Sequence, residues 1–348
     1  MKAKSIRYVL QFKRPSGTSR GVLTDKETWF LVIEKNGKKG IGECGILRTL
    51  SYDDRPDYEE KLQWVCSHIH LGKERLWEEL SEFPSIQFGV ETAFLSLESN
   101  NPFLLFPSGF TSDRKQIPIN GLVWMGEVDF MRKQIQEKLQ QGFRCVKLKI
   151  GAIDFEKELA LIHFIRKNFD ENTIEIRLDA NGGFSEREAL DKLKEMSGYK
   201  IHSVEQPISV KKYDTMADLC DNGLIDIALD EELIGVIDFH KKEELLKYIK
   251  PHYIILKPSL VGGFRGSQQW IDLSAKYCRK GWWVTSALES NIGLNAIAQW
   301  TFTLQNKMPQ GLGTGGLYTN NFDSPLEVKN GNITYNNSLD WDVQSVFN

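Results

Sequence analysis

Five short runs recur between residues 145 and 258: CVKLKIG (145–151), IEIRLDAN (174–181), IHSVEQP (201–207), IDIALDEE (225–232) and HYIILKP (252–258). Each is β-branched and apolar, and each ends on a charge: Lys149, Asp179, Glu205, Asp230 and Lys257. The steps between those charges are 30, 26, 25 and 27 residues, one strand, one helix and their loops at a time. Strand–helix alternation of this kind predicts a parallel sheet with crossover helices. Residues repeating at that interval then sit at the same, C-terminal end of neighbouring strands, where parallel barrels build their active sites.

The same grammar extends on both sides. IPINGLVW (117–124) precedes the five runs, and WWVTSALES (282–290) and a weaker QGLGTG (310–315) follow, with helix-like segments such as 125–141, 154–169 and 185–197 between them. Eight strands in about 200 residues predict an α/β fold, a TIM-like barrel, with an open doubly wound sheet as the other arrangement. The first hundred residues differ. Strand-like runs at 6–12 and 28–34 flank a polar stretch, RPSGTSRGVLTDKE, expected as a loop, and Asn36-Gly37 signals a hairpin into 39–43. Helical spacing follows around Tyr58–Cys66 and again over Ile86–Glu98. This predicts a small α+β domain at 1–112, the barrel at 113–320, and a C-terminal segment, 321–348, with a hairpin at Asn330-Gly331 that rejoins the first domain.

The order of the strand-end charges carries chemistry. Asp179, Glu205 and Asp230 fall on three consecutive strands, and three oxygen donors without His or Cys suit a hard divalent ion, Mg²⁺ or Mn²⁺. Glu231 and Glu232 are alternatives to Asp230 as the third donor. Lys149 and Lys257 flank the acids from the neighbouring strands. Lys147 shares a strand face with Lys149, and a second ammonium, a metal and desolvation would together favour a neutral amine, making Lys149 a candidate base. Arg177 and Asn181 share the face of Asp179. On the seventh strand Ser286 is a candidate substrate contact, although either it or Glu289 could face inward. Each residue alone has a plainer reading, such as an exposed strand edge or a helix cap. Five in register do not, because unpaired buried charges cost several kcal/mol each.

Composition narrows the class. With 44 Lys+Arg against 47 Asp+Glu, the formal charge of −3 lacks the basic excess of a nucleic-acid binder. No run approaches the roughly 18 apolar residues of a spanning helix, so no membrane partner is expected. Five scattered cysteines without a CxxC pair argue against a disulfide framework or zinc site and for a reducing cytoplasm. Two G-x-G-x-x-G matches, at 40–45 and 311–316, lack the strand–helix context of a dinucleotide site and read as turn glycines. The second could also shape the mouth of the last barrel strand. His68-Ile-His70 has no evident third ligand, and Trp282, Trp283 and Trp300 read as packing residues.

VKLKIG, IRLDANGGF, VEQP, ALDEEL, ILKPSLVGG and SALES, in this order and spacing, resemble the strand signatures of the enolase superfamily, in its muconate lactonizing enzyme branch. With GECGILRTLSYDD and GLGTGGLYTNNF they are most similar to the o-succinylbenzoate synthase family. The resemblance covers nearly the whole chain. It implies a (β/α)7β barrel under an α+β capping domain built from both chain ends. It also implies a lyase that removes the proton α to a carboxylate while Mg²⁺ stabilises the enediolate. By position, Asp179, Glu205 and Asp230 would be the metal ligands and Lys149 the acid/base catalyst. Lys257 would be the second catalytic lysine, its ammonium over the ring face, and Lys147, Arg177 and Ser286 would contact substrate. The expected reaction is syn-dehydration of 2-succinyl-6-hydroxy-2,4-cyclohexadiene-1-carboxylate in menaquinone biosynthesis. Opposed lysines also suit N-acylamino acid racemases and dipeptide epimerases, and a noncatalytic ligand-binding barrel is a third reading.

Overall fold

The computed structural model describes residues 1–18, 21–151 and 154–343. The chain opens with three antiparallel strands, β1 (Lys2–Thr18), β2 (Gly21–Lys35) and β3 (Lys38–Gly45), in the order β1-β2-β3. The β2–β3 turn falls on Asn36 and Gly37, both at positive φ (53° and 78°), as the hairpin signal predicts. The stretch expected as a polar loop, 14–27, is instead mostly strand. β1 and β2 stay paired out to Thr18 and Gly21, with a register shift between Gln11 and Ser16. Backbone pairing does not require apolar side chains on an exposed ribbon, so the polar composition misled. Ser19 and Arg20 lie outside the described residues.

Helices Tyr58–His68, Gly72–Glu79 and Pro84–Glu98 follow. The third packs on β3 at backbone distance: a Cβ on Gly40 would come within 2.4 Å of Ala93 O, and one on Gly42 within 1.9 Å of Gly89 O. The first glycine-rich match is therefore a packing surface inside a strand.

After β4 (Ile117–Pro118) comes a seven-stranded parallel sheet: β5 (Gly121–Val123), β6 (Cys145–Lys149), β7 (Glu175–Asp179), β8 (Ser203–Glu205), β9 (Ile227–Leu229), β10 (Tyr253–Leu256) and β11 (Gly281–Val284). Its strand order follows the chain order. Gln310 and Gly311 hydrogen-bond to both ends of it. Gln310 N donates to Pro118 O and Asn120 N to Gln310 O, while Gly311 N donates to Val284 O and Ser286 N to Gly311 O. The two faces of each strand are chemically different. Leu148, Leu178, Val204, Leu229, Leu256 and Val284 are buried in one continuous apolar core with the helices. The alternate positions carry Lys147, Arg177, Ser203, Ala228, Tyr253 and Trp283, also buried but largely polar or aromatic. Trp300 packs on Phe264 at 4.9 Å between ring centroids, and Trp283 is buried, both in packing roles.

The terminal hairpin β12 (Leu326–Lys329) and β13 (Asn332–Tyr335) turns on Asn330-Gly331 and pairs with β4 rather than with the N-terminal sheet. Contact with that sheet is made on both sides of it: before it Lys13 N donates to Leu317 O, Thr319 N to Gln11 O and Phe322 packs on Tyr8 and Phe30, and after it Val343 shares an apolar cluster with Phe30, Val32 and Ile41. Two carboxylates from the N-terminal region reach across to helices that follow parallel strands. Glu43 accepts from Ser290 N and Gly293 N at the start of helix Asn291–Thr303. Glu91 accepts from Phe264 N (2.6 Å) and Arg265 N at the start of helix Gly263–Tyr277, and burial pushes its carboxyl up to about 7. Negative charge against free N–H groups at a helix N-terminus is favourable, so both residues dock one unit on the other. No helix among the described residues is long and apolar enough to cross a membrane.

Candidate active site

Parallel register places the strand-end charges side by side: Lys149 is opposite Asp179, and Asp179 is opposite Glu205. Asp230 follows β9 directly and Lys257 follows β10. Lys147 Nζ lies 2.9 Å from Asp179 Oδ2 and 2.6 Å from Glu205 Oε2. Lys149 Nζ lies 3.1 Å from Asp179 Oδ2 and donates to Asn181 Oδ1 at 2.7 Å. Lys257 donates to Asp230 Oδ2. Three lysines and three acids thus interlock within a site where the acids are at most 2% exposed.

The field in this cluster is strong because water is excluded. Burial works against the Lys147 ammonium, but Asp179, Glu205 and Asp230 outweigh it and hold its pKa above the ordinary lysine range. The crowding thus keeps Lys147 charged, as a fixed cation beside Lys149. Burial raises Asp179, yet Lys147, Lys149 and Lys257 overcome this and hold its carboxyl far below the usual range. Glu205 goes the other way: burial and the nearby Asp179 charge push it well above. One of its oxygens, Oε1, is buried without a hydrogen-bond partner.

A cavity of about 190 Å³ opens over this cluster, lined among others by Lys147, Lys149, Asp179 and Lys257 on the sheet side and by Arg48 and Leu50 from the N-terminal region. Glu205 and Asp230 do not line it but bond to lysines that do, Lys147 and Lys257. Ser286 lines the cavity, and its hydroxyl donates to Glu289 Oε2 at 2.6 Å while accepting Leu288 N. Glu289 is wholly buried behind it, also bonded to Ser259. Between the two, it is therefore Ser286 that faces the cavity.

Arg177 is placed differently from its expected role as a substrate contact. It shares the face of Asp179 but lies one pleat deeper, away from the strand ends. Its guanidinium donates to Glu175 Oε1 and Pro309 O and stacks over Trp283 at 4.1 Å, and it does not line the cavity. A common face does not imply a common depth. Glu232 is committed to Gln206 and Lys211 N, whereas Glu231 lines the cavity and accepts Asn181 Nδ2 at 2.9 Å. His68 stacks on Trp64, consistent with a packing role.

Sequence reasoning missed the Asn181–Glu231 link, the Trp124 and Asn120 walls, and Arg48, which is paired to Glu27 and Asp54 at the cavity rim. The Asp-Ala-Asn-Gly-Gly turn after β7 was the available signal for Asn181. Asn tolerates the left-handed conformation that residue adopts, φ 46°. The second glycine-rich match contributes Gly311 and Gly313 to the cavity wall, where a Cβ on Gly311 would lie 2.3 Å from Thr285 Oγ1.

Among the described residues, no three His, Cys, Asp or Glu side chains converge as a ready-made metal cage, since ammonium groups lie between the carboxylates. The donor set nevertheless fits a hard cation. It consists of carboxylate oxygens alone, mutually repelling and buried, with Glu205 Oε1 unsatisfied.

The sequence model of the family described as Enolase C-terminal domain-like matches residues 130–338. An o-succinylbenzoate synthase of Desulfotalea psychrophila is 46% identical over 92% of this chain and 95% of its own length. A crystal structure of MenC from the same organism aligns with a TM-score of 0.85 and 41% identity, covering 96% of this chain and 99% of that one. An L-Ala-D/L-Glu epimerase of Bacillus subtilis is 24% identical over 97% of this chain and 93% of its own length. With buried carboxylates and lysines at the parallel strand ends and a near full-length match at this identity, the chain belongs to the o-succinylbenzoate synthase family of the enolase superfamily.

Proposed function

We propose that this protein is a divalent-metal-dependent carbon–oxygen lyase, an o-succinylbenzoate synthase. It dehydrates 2-succinyl-6-hydroxy-2,4-cyclohexadiene-1-carboxylate to o-succinylbenzoate in menaquinone biosynthesis. The observation that carries this is the 46% identity to a synthase along nearly the whole of both chains. The hydrogen bonds from Gln310–Gly311 to both edges of the parallel sheet support a closed (β/α)7β barrel at 113–320. The sheet at 1–112, met by 317–322, supports a cap that closes over it. Five free thiols are in keeping with a cytoplasmic setting.

Asp179, Glu205 and Asp230 would hold the ion, Mg²⁺ by the hardness of the donor set. When bound, that ion supplies positive charge against the enediolate that develops at the substrate carboxylate. The chain's own residues do the rest. Lys147, kept charged by its three acidic neighbours, binds the substrate carboxylate. Lys149 takes the α-proton as the C–H bond breaks. Because the elimination is syn, it returns that proton to the hydroxyl as the C–O bond breaks and water leaves. Lys257, whose ammonium Asp230 holds protonated against its burial, serves as a fixed cation over the ring.

Purified protein with Mg²⁺ is expected to abolish the cyclohexadiene absorbance of the substrate and release o-succinylbenzoate. A second reading, epimerase activity on dipeptides or acylated amino acids, draws on the opposed lysines and the full-length epimerase relative. Solvent deuterium entering an α-carbon with inversion, and no dehydration, would decide for it.

Asn181 has a positioning role in this scheme. It accepts from Lys149 and donates to Glu231, so Glu231 fixes the amide that, with Asp179, holds the amine. Asn181→Ala should lower kcat about 10–100-fold, the cost of misplacing a reacting group, with KM little changed. Loss of KM alone would instead make Asn181 a binding residue.

A further inference from the structure

Ser286 faces the cavity, yet its hydroxyl has nothing left to give a ligand. A serine hydroxyl offers one proton and two lone pairs. Here the proton goes to Glu289 Oε2 at 2.6 Å, and the lone pairs take Leu288 N at 3.0 Å and Thr314 Oγ1 at 2.9 Å. Glu289 sets the direction of this chain, because its carboxylate can only accept, here from Ser286 and from Ser259. Thr314 also lines the cavity, and among the described residues its hydroxyl makes no other hydrogen bond. Its one proton is therefore committed toward Ser286, and its lone pairs are what remain to meet a ligand. At Thr314 the chain presents an acceptor and no donor.

Thr314 stands at the same end of the strands as Lys149 and Lys257. β10 and β11 pair in register up to Leu256 and Val284, so Lys257 and Ser286 lie one and two residues beyond the paired ends. Ser286 N then donates to Gly311 O, three residues before Thr314. On the other flank Gln310 bridges Ile119 in parallel. The chain runs four residues farther toward the end of β5, whose last residue, Val123, pairs with Leu148 beside Lys149. Thr314 thus lies between the strand that carries Lys149 and the strand that carries Lys257, on one wall of the cavity that all three line.

We infer that Thr314 accepts a hydrogen bond from the substrate's departing hydroxyl, and that Ser286 acts through it as a positioning residue. The inference rests on the function proposed above and deepens it. With its carboxylates ionised and its ketone able only to accept, the substrate carries a single hydrogen-bond donor, the 6-hydroxyl. An acceptor without a free proton is therefore matched by that group alone. The hydroxyl is on the carbon next to the one that loses its proton, so it is brought beside Lys149 with it. Donating its own hydrogen to Thr314 turns a lone pair of the same oxygen toward the Lys149 ammonium. That oxygen takes the proton from Lys149 as the C–O electron pair leaves with it, and the water formed keeps its bond to Thr314. A threonine free to donate would instead compete with Lys149 for the lone pair.

The test compares the substrate with o-succinylbenzoate, which lacks the hydroxyl, on the Mg²⁺-loaded enzyme. Thr314→Val should lower kcat/KM for dehydration about 3–10-fold, the range for one neutral hydrogen bond, and leave the Kd of o-succinylbenzoate unchanged. Thr314→Ser should keep the unaltered rate. Ser286→Ala frees the Thr314 proton and should cost a similar factor. Added to Thr314→Val it should cost nothing more, since both act through one hydroxyl. Unchanged kcat/KM in Thr314→Val would overturn the inference alone, as would equal weakening of product binding or a Thr314→Ser enzyme no better than Thr314→Val. A full Ser286→Ala effect in the Thr314→Val background would make Ser286 a substrate contact in its own right and overturn its positioning role. Failure of the unaltered holoenzyme to dehydrate the substrate would overturn the proposed function and this inference with it.

Discussion

Replacing Lys149 with alanine is expected to reduce dehydration by about 10²–10⁴-fold or more, the usual contribution of a positioned general acid–base group. The loss should be at the upper end because the same amine is asked to act twice, first on the α-proton and then on the departing hydroxyl. The variant should still fold. Lys149 is a partner of Asp179, but Lys147 also holds that carboxylate at 2.9 Å, so the acid is not left unpaired. Product binding should survive as well, since the carboxylate site and Lys257 remain. The measurement is the disappearance of cyclohexadiene absorbance alongside product affinity and thermal midpoint. Full turnover by Lys149→Ala would sink the assignment of the base. Lys257→Ala should also lose activity, but its loss has a different character. A cation over the ring stabilises charge without moving a proton, so Lys257→Arg should recover part of the rate where Lys149→Arg does not.

The second large effect concerns the cation. Three carboxylates at most 2% exposed, with Glu205 pushed well above its ordinary pKa by burial and Asp179, form a site strained by its own charges. A divalent ion relieves that repulsion, so binding should stabilise the fold as well as support turnover. At a hundredfold excess over its Kd, Mg²⁺ should contribute about 2.7 kcal/mol by mass action, read as a rise in thermal midpoint. A chelator should abolish activity and reverse the rise. Asp179→Asn should remove both responses. It also leaves Lys147 and Lys149 short of one negative partner, so the variant is expected to be less stable than the chelated parent. If Asp179→Asn kept the full Mg²⁺-dependent rise, Asp179 would not be a ligand.

Much of this site was legible before any coordinates. Strand–helix alternation fixes strand direction, and a charge closing each apolar run at intervals of 25–30 residues identifies the strand end it occupies. That reasoning uses only local periodicity, and the register of Lys149, Asp179 and Glu205 follows it. The hairpins at Asn36-Gly37 and Asn330-Gly331 were likewise legible, because a two-residue turn with positive φ at both positions is a property of the dipeptide.

Other features depend on contacts between residues far apart in the chain, and local pattern cannot supply those. Period-two alternation assigned Arg177 to the face of Asp179, but its depth and its partners, Pro309 and Trp283, are set by a segment more than 100 residues away. The choice among Asp230, Glu231 and Glu232 was open in sequence. It is narrowed by Lys257, Asn181 and Gln206, each from a different strand end. The polar ribbon at 14–27 pairs as strand because backbone groups find partners regardless of side-chain polarity. What the amino-acid sequence determined by itself was the order of the strands and which end of them carries charge, because both arise from repeats along one chain. Which of those charges meet and which are buried were decided by tertiary packing, because pairing and desolvation depend on neighbours brought together only when the fold closes.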